Sequence, residues 1–126
     1  MKKSGLSINV KISELLKKDK DLVERCNGDI YPLAANQDTA FPFIVHYRNT
    51  VTPTYTKCGR ACDKVTFSVE IAATKYIESM ELAEMVRADL ELVNDDTLSD
   101  VRLTSTTEFF SMDAFVQRLD FEATIL

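Results

Sequence analysis

The sequence predicts an α+β protein in which a mostly antiparallel sheet of about four to five strands carries helices on one face. Asp63 to Ala73 and Phe115 to Ile125 alternate apolar and polar side chains, as half-buried strands do. Tyr76 to Val93 instead repeats apolar residues at helical spacing. The predicted strands fall in pairs on either side of this long helix, and that order favours antiparallel neighbours.

Two short helices are predicted before the first long strand. Apolar residues recur every three or four positions from about Ile8 to Lys18, although Leu6 to Val10 also alternates like a strand. Asp19 to Cys26 reads as a second helix, capped by its first residue and followed by an Asn-Gly pair. A brief extended segment at Ile30 to Leu33 and a polar loop at Ala34 to Ala40 complete this part.

The remaining strands are predicted from composition and alternation. Pro42 to Thr50 is rich in β-branched and aromatic residues, which favour a strand. Thr52 to Cys62 contains proline and glycine and is predicted as a loop that is long for a small domain. After the acidic connection Asn94 to Asp100, a strand at Val101 to Phe110 meets the closing strand through a hairpin turn at Ser111 to Ala114.

Composition limits the class of protein. The chain has 126 residues, 45% hydrophobic and 28% charged, so we expect residues 1–126 to form a single domain. No apolar run approaches the ~18 residues that span a bilayer, and no apolar signal segment follows Met1, which predicts a cytoplasmic protein that does not enter a membrane. The net charge of -5 argues against tight nucleic-acid binding, because phosphate contacts need a basic surface.

No pattern of catalytic or metal-binding residues is present. Three cysteines, Cys26, Cys58 and Cys62, form an odd set expected to be reduced, and no second Cys/His pair completes a zinc site. A cysteine hydrolase would pair Cys58 with His46, the only histidine, but a third orienting group and an oxyanion motif are missing. His46 is therefore predicted to be a strand-face residue, and neither catalysis, metal nor cofactor is expected.

Two places are candidate contact surfaces. Tyr55, Lys57 and Arg60 lie in the predicted loop, which is either a mobile hairpin tip or an arm that contacts a partner or faces a channel. Arg118 and Asp120 lie on the polar side of the closing strand, which is either simply solvated or meets a neighbouring subunit.

The order of several short motifs resembles the tail completion (tail terminator) family of long-tailed siphophages. The likeness runs from about Val10 to Ile125, and Phe43 stands where the family commonly has tyrosine. The matching segments are Ile12–Leu16, Ile30–Ala34, Phe41–Val45, Pro53–Lys57, Asp63–Ala73, Glu81–Arg87 and Phe115–Thr124.

This resemblance implies a structural assembly protein without catalytic machinery. Members of the family cap the growing tail tube, end its polymerisation and join the tail to the head. The implied partners are further copies of the chain in a ring, which is a hexamer in related tail terminators, the tail tube protein and the head-side connector protein. DNA passes through the lumen without specific binding, a passage compatible with the net charge of -5. The chain would be made in the host cytoplasm from a phage or prophage gene and end in the virion at the tail–head junction.

Three other functions compete with this interpretation. A head–tail adaptor of the same particle is the nearest, followed by a phage-encoded protein that binds and inhibits a host protein. A small cysteine enzyme is the third. A gene position between the connector genes and the major tail protein gene would favour the terminator, and a position among early regulatory genes would favour the inhibitor.

Overall fold

The computed structural model describes residues 4–36 and 38–126, apart from the side chain of Arg60. A short 3-10 turn at Gly5–Ser7 leads into the first helix. The elements that follow, in chain order, are α1 (Ile8–Lys17), α2 (Lys20–Arg25), β1 (Ile30–Pro32), β2 (Phe43–Thr56), β3 (Gly59–Ala73), α3 (Tyr76–Leu90), β4 (Leu98–Ser111) and β5 (Ala114–Ile125).

The five strands form one sheet in the order β1-β2-β3-β5-β4. β1 pairs with β2 in parallel, and every other neighbouring pair is antiparallel. α1, α2 and α3 supply buried side chains to the core on one face of the sheet. The prediction of a mostly antiparallel α+β sheet with helices on one face is therefore confirmed.

The core lies between the helices and the central strand β3. Phe67 on β3 stacks on Phe121 of β5, with ring centroids 5.2 Å apart, and both are fully buried. The helices close over them with apolar side chains that recur every three or four residues, as an amphipathic helix provides. These buried helix residues are Ile8, Ile12, Leu16, Leu22, Leu82, Val86 and Leu90.

The prediction that Thr52 to Cys62 is a loop is wrong. β2 continues to Thr56 and β3 begins at Gly59, so only Lys57 and Cys58 form the turn of a long hairpin. The end of this hairpin is exposed on both sides, so no apolar alternation marks it as a strand. Its structure comes from backbone pairing, in which Thr54 lies opposite Cys62 and Tyr55 lies opposite Arg60.

Other boundaries differ by a few residues. The long helix ends at Leu90 rather than Val93, because Glu91 is extended and Leu92 has a positive φ of 63°. β4 starts at Leu98, within the predicted acidic connection. The predicted hairpin turn before β5 is confirmed, since Met112 and Asp113 have φ values of 50° and 61°, as the tight turns of twisted hairpins require.

Truncation of a core side chain on α3 should destabilise the fold far more than truncation of an exposed one. We expect Leu82→Ala, which empties a fully buried position, to lower the free energy of unfolding by about 2–5 kcal/mol in urea titrations. The matched control is Ile77→Ala on the exposed side of the same helix, with an expected change within about 0.5 kcal/mol. Equal effects of the two substitutions would contradict the packing of α3 on the sheet.

Candidate functional site

The face of the sheet that points away from the core carries the candidate site, and we call it the open face. Its side chains alternate along each strand with those of the core, so they point to the opposite side. No helix among the described residues covers it. Tyr47 lies opposite Ser68, Ser68 lies opposite Asp120, and Glu70 lies opposite Arg118, which places these side chains in adjacent rows.

A hydrogen-bond network centred on Asp120 joins the strands on this face. The Oδ1 atom of Asp120 accepts from Ser68 Oγ at 2.5 Å and from Arg118 Nε at 3.0 Å, while its Oδ2 accepts from Ser105 Oγ at 3.0 Å. The side chain of Asn49 donates to Ser68 Oγ at 2.8 Å. The network thus reaches across β2, β3, β5 and β4, and it satisfies the fully buried Ser68 hydroxyl.

These contacts set the charge state of Asp120. Burial, the largest single effect, acts to raise its pKa, but the hydrogen bonds from Ser68, Arg118 and Ser105 together outweigh burial. The pKa of Asp120 is therefore lowered, and the carboxylate is ionised at neutral pH. The pairing also occupies Arg118 within the chain, so its role in contacting a neighbouring subunit stays a prediction.

An apolar groove of about 560 Å³ occupies the other half of the open face. Its floor includes Val45, Ala72 and Val116, and Glu70 is the only charged residue among its described lining. Two large apolar side chains at its rim are mostly in solvent, Leu33 with 77% of its surface exposed and Met112 with 91%. Exposed apolar surface around a concavity is typical of a contact site for another molecule.

The far end of the β2–β3 hairpin forms a projecting ribbon, Thr54–Cys62, which we call the arm. β5 pairs with β3 only from Asp63 onward, so the arm extends beyond the rest of the sheet. Tyr55 has 70% of its surface exposed and Lys57 lies exposed in the turn. The backbone of Arg60 pairs with Tyr55, while the Arg60 side chain lies outside the described part of the structure.

The five predicted contact residues therefore fall in two places on the same sheet. The arm brings together Tyr55, Lys57 and the backbone of Arg60, and the middle of the open face holds Arg118 and Asp120. Sequence reasoning placed Ser68 and Glu70 on the polar face of their strand without naming them as contact residues, and it missed the groove. The groove is built from separate segments whose proximity no local pattern reveals.

His46 is a buried structural residue rather than a partner of a cysteine. It is 0% exposed, its Nε2 lies 2.8 Å from Ser13 Oγ, and its Nδ1 lies 3.2 Å from Asn9 Oδ1. These bonds tie α1 to β2, and full burial leaves no path for a substrate. Burial, with a smaller contribution from the positive charge of Lys17, lowers the pKa of His46 from 6.5 to about 4.

The cysteines do not assemble into a reactive site. Cys26 is buried, and burial raises the pKa of its thiol to about 11, which suppresses the nucleophilic thiolate. Cys58 and Cys62 lie on the arm, away from His46. Within the described ranges, no group of three or more His, Cys, Asp or Glu side chains is placed to bind a metal ion, and no helix is long and apolar enough to cross a membrane.

An open sheet face, a projecting arm and an apolar groove are surface features typical of proteins that contact other macromolecules. The sequence pattern of the family described as tail completion protein gp17 matches residues 10–126, and the chain belongs to that family. It is a structural protein of phage tail assembly, and its family is not a class of enzymes. The resemblance seen in the sequence is thereby confirmed.

Solved structures share the fold at low sequence identity. A chain of the virion of a native gene transfer agent particle superposes with a TM-score of 0.75 and 15% identity, over 90% of each chain. A second solved chain gives a TM-score of 0.54 and 12% identity, over 90% of this chain and 94% of the other. No curated protein sequence matches the chain.

Removal of the Asp120 carboxylate should weaken the sheet. Asp120→Ala leaves the buried Ser68 hydroxyl without its acceptor and Arg118 without its partner, so we expect the free energy of unfolding to fall by about 1–3 kcal/mol. Glu122→Ala, an exposed position on the same strand, is the control and should change it by less than about 0.5 kcal/mol. Urea unfolding measures both, and indistinguishable midpoints would refute the network's contribution.

His46 should make stability depend on pH below neutrality. Because its folded pKa of about 4 lies below the ordinary 6.5, its contribution is complete above about pH 6.5 and is lost as the pH falls to 4. The loss should reach roughly 3 kcal/mol relative to His46→Gln, given about 1.36 kcal/mol per pKa unit. Asp89, whose pKa burial raises to about 7, acts in the opposite sense, so the two proteins must be compared at each pH. Parallel stability curves between pH 4 and 7 would show that His46 is not the titrating group.

Proposed function

We propose that this chain caps the phage tail tube, ends its polymerisation and joins the tail to the head connector as one copy in a ring. Membership of the tail completion family supports a role in phage tail assembly. The observation that carries the proposal is that the arm and the groove, two different surfaces, lie at opposite ends of one sheet. A ring of identical subunits needs such a pair, because its heterologous interface joins two unlike patches.

The remaining parts of the proposal follow from this ring. Residues 1–126 act as one domain, whose partners are its own copies, the tail tube protein and the head-side connector protein. A hexamer is the expected ring size from the family resemblance. DNA crosses the lumen without specific binding, which fits the net charge of -5, since an acidic wall repels the phosphate backbone. Assembly takes place in the host cytoplasm, and the chain ends at the tail–head junction of the particle.

Deletion of the gene should give tail tubes that lack attached heads and vary in length beyond the normal value. The reason is that a tube without its cap has no stop for subunit addition and no surface for the connector. Electron microscopy of lysates measures tube length and head attachment. Plasmid-borne wild type should restore both, and so should Glu122→Ala, which changes an exposed side chain outside the arm and the groove.

The same images separate the terminator from the alternatives. Tubes of normal, uniform length without heads would contradict termination and identify a head–tail adaptor. Normal particles in the deletion strain would overturn the proposed role altogether. If Arg60→Glu and Arg118→Glu both supported normal assembly, these two residues would be excluded from the subunit interface.

A further inference from the structure

The arm displays an aromatic side chain that is largely exposed to solvent. Tyr55 is 70% exposed near the tip of a narrow ribbon. Buried aromatic residues are the strongest contributors to protein interfaces, because they combine a large apolar surface with few rotatable bonds. The position of Tyr55 on a projecting element therefore points to an interface residue.

The arm cannot reach the groove of its own chain. Val45 on the groove floor and Tyr55 on the arm belong to the same strand β2. At roughly 3.3 Å per residue, the strand between them spans roughly 33 Å. Any contact between the arm and the groove must therefore join two copies, and it must join unlike surfaces.

The charges of the two surfaces are complementary. Asn49 to Cys62, which includes the arm, contains no acidic residue and carries Lys57 and Arg60, although the whole chain has a net charge of -5. The groove has an apolar lining in which Glu70 is the only charged residue among those described. Within its own chain Glu70 lies opposite Arg118 and accepts a hydrogen bond from Tyr47, so a cation of the arm would join this polar cluster at the edge of the apolar floor.

We propose that the arm of one copy docks into the groove of the next copy. Tyr55 packs on the apolar floor around Val45 and Val116, and Lys57 faces the carboxylate of Glu70. This inference rests on the proposed ring and specifies which surfaces form it. Each copy gives one arm and receives one, so the contact propagates from subunit to subunit until the ring closes.

Thiol cross-linking within assembled particles tests the contact. Cys58 adjoins Lys57 in the arm turn, and Met112, 91% exposed at the groove rim, can be replaced without disturbing the core. We would treat particles that carry Met112→Cys in a Cys62→Ser background with a short bismaleimide. The expected result is a ladder of covalent oligomers that rises to the full ring. Addition of Tyr55→Ala should lower the ladder yield about tenfold or more, as for a central aromatic anchor.

Matched variants show whether the ladder reports this contact. Addition of Cys58→Ser should abolish the ladder. In a second control, Leu92→Cys takes the place of Met112→Cys; Leu92 is exposed just beyond the end of α3, and this variant should give no ladder. A ladder that survives Cys58→Ser, or that Leu92→Cys gives equally well, would overturn the inference.

The possible failures are distinct. Dimers alone would indicate a symmetric contact and overturn arm-to-groove docking. Two results would overturn the docking while the proposed function stands. The first is cross-linking of the chain only to another particle protein, and the second is the absence of any cross-link in particles that contain the chain. Absence of the wild-type chain from purified particles would overturn both the proposed function and the inference.

Discussion

The structure depends on a sheet whose described helices all lie on one side. The stacked rings of Phe67 and Phe121 and the side chains around them are fully buried, and all three helices pack over this one face. The opposite face must therefore satisfy its own polar groups and leave its apolar side chains to water or to a partner. Burial on one side thus creates both the stability of the fold and the surface that assembly can use.

The open face meets this requirement differently in its two halves. Around Asp120, hydrogen bonds link side chains on four strands, so this half is a polar surface. Near Glu70, apolar side chains surround a groove and are left incompletely covered. On the covered side, His46 binds Ser13 and Asn9 and ties α1 to the sheet. Both polar clusters thus hold elements of the fold together.

Sequence patterns predicted the elements that are buried on one side and failed where burial is absent. Alternation revealed the strand that contains Phe67, and helical spacing revealed α3 through residues such as Leu82. The arm was predicted as a loop because both of its sides are exposed, and backbone pairing leaves no trace in composition. The groove was missed because Leu33, Val45 and Met112 are distant in sequence. The family emerged from the order of several short motifs, which periodicity alone does not encode.

In the proposed assembly, the open face and the arm become covered. Hydroxyl-radical footprinting, read by mass spectrometry in the free chain and in purified particles, tests it most directly. Met112 and Tyr55 are exposed in the isolated chain, and Met80 is an exposed reference on α3. We predict that oxidation of Met112 and Tyr55 falls sharply in particles relative to Met80. Equal oxidation of Met112 and Tyr55 in both states would contradict the claim.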